Sequence, residues 1–112
     1  MIDEAKFRRV SDDALESLKQ SLISAEDEGG GFEFEDNNGV MNIVFENGSS
    51  KFVITPNTPI RQIWISAQAT SYKLEWNEAA AAFVLLRTGE ALKPLTERLL
   101  REHLGDPGIA LP

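Results

Sequence analysis

The sequence predicts an α+β fold: a two-layer α/β sandwich with an N-terminal and a C-terminal helix packed on one face of an antiparallel sheet of about six strands. Three observations predict it. Apolar residues near both ends recur at helical period, the stretch between them alternates with period two, and short turns rich in Gly, Asn and Pro punctuate that stretch. Strands joined in succession by short turns pair antiparallel, and two flanking helices can cover only one face if the other faces solvent. At 112 residues the chain suits one domain, spanning 1–112, with no internal repeat or linker.

The first helix is expected over about 4–25. Phe7, Val10, Ala14, Leu18, Leu22 and Ala25 form its apolar stripe, and Gly29-Gly30-Gly31 stops it. Phe32 to Glu35 alternates as a first strand, followed by a turn at Asp36-Asn37-Asn38-Gly39. Val40 to Phe45 and Lys51 to Thr55 are the next strands, joined by a turn over Glu46 to Ser50. Pro56 and Pro59 bracket a corner, because proline cannot donate to a ladder. Arg61 to Ala67 places Ile63 and Ile65 on one face and Gln62, Trp64 and Ser66 on the other. Ser71 to Trp76 sets Tyr72, Leu74 and Trp76 against Lys73 and Glu75, and Phe83 to Leu86 is a short sixth strand. The last helix covers about 90–104, with Leu92, Leu95, Leu99 and His103 in one stripe, Pro94 in its first turn and Gly105 as its C-cap.

Composition narrows the chemistry. The chain has no cysteine and one histidine, so thiolate zinc, disulfides, cysteine-ligated clusters and thiol nucleophiles are all excluded. Any cation must be held by carboxylates, which favours hard or borderline ions and modest affinity. The net charge of −7 is uneven: residues 1–46 hold twelve Asp/Glu against four Lys/Arg, and the remainder six against seven. Such a field repels phosphate backbones and anionic lipid, so nucleic acid and membrane are poor partners, while cations and basic protein patches are good ones. No apolar run approaches the roughly 20 residues of a membrane helix. The first residues, Met1-Ile2-Asp3-Glu4, lack the basic character of a signal or transit peptide, so a cytoplasmic location is expected.

Two constellations stand out. Asp12, Asp13 and Glu16 lie three or four residues apart and share one side of the first helix, with Asp3, Asp27, Glu33 and Glu35 as extensions of the patch. Like charges at that spacing cost a helix roughly 0.2–0.5 kcal/mol per pair. A cation site and a plain solvated face, with Arg8, Arg9 and Lys19 nearby, both fit the residues. The second is the open sheet face: Trp64 and Gln62 point outward, with Asn57 and Lys73 on the same surface. That exposed indole is either an anchor for a protein partner or a ring laid flat on neighbours such as Lys73. His103 reads as a core-edge residue, and no nucleophile is expected beside a base.

The segment Pro59-Ile60-Arg61-Gln62-Ile63-Trp64-Ile65-Ser66 resembles the frataxin family, bacterial CyaY included, which reads proline, two variable residues, Gln, aliphatic, Trp, aliphatic, Ser or Ala. Gly39-Val40, Tyr72-Lys73-Leu74-Glu75-Trp76 and the acidic first helix agree with it, and the resemblance covers roughly residues 3–105. It implies the same sandwich, weak binding of iron (Fe2+ or Fe3+) along the acidic ridge, and a role in iron–sulfur assembly through the cysteine desulfurase and scaffold machinery. It also implies a monomer that iron can drive to oligomerise. A bacterial, cytoplasmic form fits best, a processed mitochondrial form being the alternative. The sequence departs from the family at Gln20, Ile23 and Ser24, which interrupt the ridge, and at Thr55 and Lys73, which stand where relatives carry Asn and Arg. Two other readings stay open: a ferroxidase or iron-storage protein, for which buried convergent ligands are wanting, and an acidic interaction module that uses no metal.

Overall fold

Ile43, Ile54, Ile63 and Leu74, each fully buried, mark the line along which the sheet meets the helices. The computed structural model describes residues 2–45 and 50–112. Helix α1 (Glu4–Asp27) is followed by β1 (Phe32–Asn37), β2 (Val40–Phe45), β3 (Lys51–Asn57), a 3-10 turn (Thr58–Ile60), β4 (Gln62–Ala67), β5 (Thr70–Asn77), β6 (Ala82–Leu85) and α2 (Leu92–Leu104). The six strands form one sheet in chain order, every pair antiparallel. Both helices lie over the face that carries Phe52, Ile63, Ile65, Leu74 and Phe83.

Helix α1 starts where Asp3 caps it, its Oδ1 accepting from Lys6 N at 2.8 Å. The helix runs two residues beyond the expected end: Gly30 N bonds Ala25 O, and Gly29 is the first residue to turn left-handed, at φ 82°. Phe7, Leu18, Leu22 and Ala25 are buried as the stripe requires, whereas Val10 and Ala14 are only half-buried. Ser11 and Ser21 share the buried side by satisfying their hydroxyls, Ser11 on Arg8 O at 3.2 Å and Ser21 on Pro112 O at 2.6 Å.

Several strand limits shift for local reasons. Asn38 and Gly39 both have positive φ, as a two-residue hairpin of the primed type demands, so Asp36 and Asn37 pair instead of turning. Strand β3 continues through Pro56, opposite Ile63, because β2 stops short of that position and no neighbour there needs the missing N–H. Arg61, at φ 57°, closes the 3-10 turn and leaves β4 to begin at Gln62. Leu86 falls outside β6, and α2 begins at Leu92 with Pro94 inside its first turn. Of the turn expected at Glu46 to Ser50, residues 46–49 lie outside the described ones.

The last residues also add to the core. Ile109 and Leu111 are buried, held by Arg101 Nε on Ile109 O at 2.7 Å and Leu111 N on Glu97 Oε2 at 2.8 Å. Pro112 O accepts from Ser21 of α1 and from Lys93 of α2, so this segment ties the helices to each other. Trp76 faces the core side, edge-on to Phe83 at 5.3 Å, and its buried Nε1 has no acceptor among the described residues. His103 lies at the core edge, 4.0 Å from Phe45 between ring centroids. Its Nε2 is 3.2 Å from Ser50 Oγ, a hydroxyl–imidazole pair that the sequence order concealed.

Two stability effects follow from this frame. The β4–β5 hairpin turns on Gln68 and Ala69, both at positive φ (53° and 61°), where Cβ clashes with the backbone. Ala69 is exposed, so Ala69→Gly is expected to raise stability by about 0.5–1 kcal/mol, read as a higher denaturant midpoint at unchanged slope. Glu90 accepts from Arg98 at 2.7 and 2.9 Å, and this guanidinium holds its carboxyl below the usual range. A carboxyl depressed in the folded state stabilises above its unfolded pKa and loses that contribution as acid titrates it. Glu90→Gln should therefore cost about 1 kcal/mol or less at neutral pH, and the deficit should shrink as the pH falls below about 4.

Candidate functional site

The sequence-predicted carboxylates separate into distinct groups in space. Asp12, Asp13 and Glu16 are exposed on one side of α1 and border a groove of about 420 Å³ between that helix and the β1–β2 turn. Asp36, Gly39, Met41 and Pro56 form its opposite wall. Lys19 is in the same groove and pairs with Asp36 at 3.1 Å, while Glu16 Oε1 accepts from Gln20 Nε2 at 3.1 Å. A cation already sits among these acids, and it is one of the protein's own.

The proposed extensions of the patch are elsewhere. Asp3 is spent on capping α1. Asp27 ends the helix, eleven residues past Glu16, a rise of about 16 Å. Glu33 and Glu35 alternate with Phe32 and Phe34, so they face the open side of β1 rather than the helix layer. Among the described residues no group of three or more His, Asp or Glu side chains converges as a metal cage. What the α1 groove offers is negative potential and a few exposed oxygen donors with no fixed geometry between them, which suits loose and unselective cation association.

The open sheet face is better ordered. Strand register sets Asn57 beside Gln62, Gln62 beside Glu75, and Trp64 beside Lys73, so all four predicted surface residues meet on one patch. Trp64 is half-buried: its Nε1 donates to Gln62 Oε1 at 2.7 Å, and Gln62 Nε2 donates in turn to Glu75 Oε2 at 2.9 Å. Lys73 Nζ stands 5.0 Å from the indole centroid, a contact worth about 0.5–1 kcal/mol at an exposed site. The flat-lying ring and the outward anchor are thus one arrangement, a tryptophan pinned at its edge and covered on a face.

Two residues of this surface were not singled out from sequence. Glu75 was visible only as an outward residue of an alternating strand; its value lies in the register that sets it against Gln62. Leu86, one residue past β6, is 69% exposed and follows Leu85, whose partner Leu74 adjoins Lys73. Continued past Leu85, the strand alternation turns Leu86 toward the open face, two strands from Trp64.

Comparison with known proteins bears on this geometry. A family described as the frataxin-like domain matches residues 1–106. A protein of Azotobacter vinelandii named iron-sulfur cluster assembly protein CyaY is 27% identical over 105 residues, covering 94% of this chain and 92% of its own length. A protein of the same name from Pseudomonas aeruginosa is 27% identical over 113 residues, covering 96% of this chain and 100% of its own. Among solved structures, frataxin from Psychromonas ingrahamii superimposes with a TM-score of 0.75 over 91% of both chains; at 16% identity this likeness is one of fold.

The bond from Trp64 to Gln62 is testable without any partner. Gln62→Leu is expected to move the Trp64 indole N–H resonance by removing its acceptor, while global stability changes by about 1 kcal/mol or less. An unmoved resonance would mean that the indole is not held by Gln62.

Proposed function

This chain belongs to the frataxin-like domain family, and from that membership we propose that it serves iron–sulfur cluster assembly, docking on the cysteine desulfurase and regulating it. The observation that carries this reading is the ordered Trp64 patch on the open sheet face. An apolar ring already fixed by hydrogen bonds loses little entropy when a partner covers it. The name of the curated relatives, iron-sulfur cluster assembly protein, supports the pathway.

Iron enters this reading as cargo. Fe(II) associates weakly with the Asp12, Asp13 and Glu16 groove, attracted by charge and held by few oxygens. The same negative field draws a basic patch of the desulfurase and speeds their encounter. Occupancy of the groove by iron then changes the charge presented to the enzyme, which couples iron supply to sulfur release. The protein works in the cytoplasm as a monomer.

A second reading is favoured by Lys19, which already pairs with Asp36 in the groove: an acidic docking module whose effect needs no metal. The two differ in whether Fe(II) alters docking. Charge reversal at Asp12, Asp13 and Glu16 is expected to weaken both iron binding and desulfurase affinity, the latter by about tenfold or more. Trp64→Arg should weaken docking alone. Unchanged desulfurase affinity in both variants would sink the docking model, and docking that ignores added Fe(II) would favour the metal-independent one. Lys19→Ala, by removing the resident cation, is expected to tighten Fe(II) binding by about two- to fivefold in low salt, measured by calorimetry.

A further inference from the structure

The hydrogen bonds on the open sheet face leave a particular pair of groups unspent. Trp64 Nε1, the only polar atom of the indole, is taken by Gln62, and the Gln62 amide is taken on its other side by Glu75 Oε2. The indole therefore has nothing left to offer a ligand except its π-face. Glu75 has Oε1 left, which accepts no hydrogen bond from the described residues, and Glu75 forms no ion pair among them. An indole face and a free carboxylate oxygen both attract positive charge. Adjacent on neighbouring strands, they are within reach of one side chain.

We propose that Trp64, Gln62 and Glu75 form a cradle for an arginine of a protein partner, in which Lys73 is a resident placeholder that the incoming guanidinium displaces. The proposal rests on the reading of the Trp64 face as a docking surface and specifies its chemistry. A guanidinium is flat and carries donors in its own plane, so it can lie on the ring and donate sideways to the Glu75 carboxylate at once. An ammonium is a compact, strongly hydrated charge that does one or the other. Lys73 shows the compromise: its Nζ is over the ring at 5.0 Å and makes no ion pair among the described residues. Its side chain is exposed, and a contact of this kind holds it by a factor of only about two to five. Displacement costs little, and Gln62 keeps the ring in place throughout. The net charge of −7 favours the approach of a basic partner over an acidic one.

The test titrates the full chain with three capped tripeptides, Gly-Arg-Gly, Gly-Lys-Gly and Gly-citrulline-Gly, and follows the Trp64 indole N–H by NMR. Binding of so small a probe is weak, so peptides are compared by the initial slope of the shift. The arginine peptide is expected to give a slope about threefold or more above the other two. Lys73→Met should raise the arginine slope by about two- to fivefold by removing the competitor. Glu75→Gln should lower it and narrow, without abolishing, the preference for arginine over citrulline, the π-face still favouring the charged peptide. Circular dichroism confirms that both exposed-site variants fold. Equal slopes for arginine and lysine, equal slopes for arginine and citrulline, or a weaker response in Lys73→Met would each overturn the cradle.

Affinity for the desulfurase, measured in parallel, separates this inference from the one beneath it. Docking that depends on Trp64 without any arginine preference in the peptides would leave the docking reading standing and remove the cradle. An arginine preference in a chain that does not bind the desulfurase would do the reverse.

Discussion

Ile63 and Ile65 are buried under the two helices, and their burial decides the direction of every other side chain on β4. Because strand side chains alternate strictly, a slip of one residue would bury Gln62 and Trp64 and push both isoleucines into water. The slip would strand the polar atoms of Gln62 in the core and lose the transfer energy of two full isoleucines, several kcal/mol on the scale of about 1.5–3 per side chain. Arg61 secures the entry to this strand. Its left-handed backbone ends the 3-10 turn, and its guanidinium bonds Thr58 O at 2.6 Å and Ile2 O at 3.2 Å, tying the corner to the start of α1. The outer patch is thus ordered by a core it does not touch.

The two charged surfaces differ in how they handle their ions. On the open sheet face three side chains form a fixed hydrogen-bonded chain, Glu75 to Gln62 to Trp64, that leaves one Glu75 oxygen over. In the α1 groove the carboxylates are exposed, and the ion pair of Lys19 with Asp36 joins two partly exposed groups. Exposed pairs of that kind contribute little to stability, on the order of 0–1 kcal/mol, and exchange readily with ions from solution. One surface is shaped for a fit and the other for a field. The two lie on different sides of the molecule.

Much of the fold was legible because periodicity changes cleanly along the chain. The alternation from Phe32 and the stripe from Phe7 to Ala25 needed no distant information, and Asn38-Gly39 announces its hairpin. Gln68-Ala69 makes the same kind of turn without either signal residue, so its tight geometry could be seen only once Ala67 and Thr70 were paired. The burial of Ile109 and Leu111 was equally hidden: two apolar residues among Pro, Gly and Ala carry no period. For the site, outward placement of Gln62, Trp64 and Lys73 followed from parity alone. The pairings of Glu75 with Gln62 and of Asp36 with Lys19 did not, since each depends on register or on helix placement over residues 13 and 17 apart. The acidic patch read from helix spacing takes Glu33 and Glu35 as its extensions, and strand parity turns them to the other face.

The order of the strands has a bearing on how the molecule is made. Each strand pairs only with its neighbours in the chain, so the sheet closes by short loops and low entropic cost. Helix α1 is different. Its ties to the rest reach far along the chain, from Ser17 to Lys93 and from Ser21 to Pro112, separations of 76 and 91 residues. Part of the helix can meet β1 early, through Lys19 and Asp36, whereas Phe7 packs edge-on against Phe83 of β6 and is covered only when the last strand is in place. Long sequence separation between packing partners slows their assembly, and α1 carries separations of this length. A helix whose apolar stripe must await distant partners gains solubility from the charges of Asp12, Asp13 and Glu16 on its exposed side.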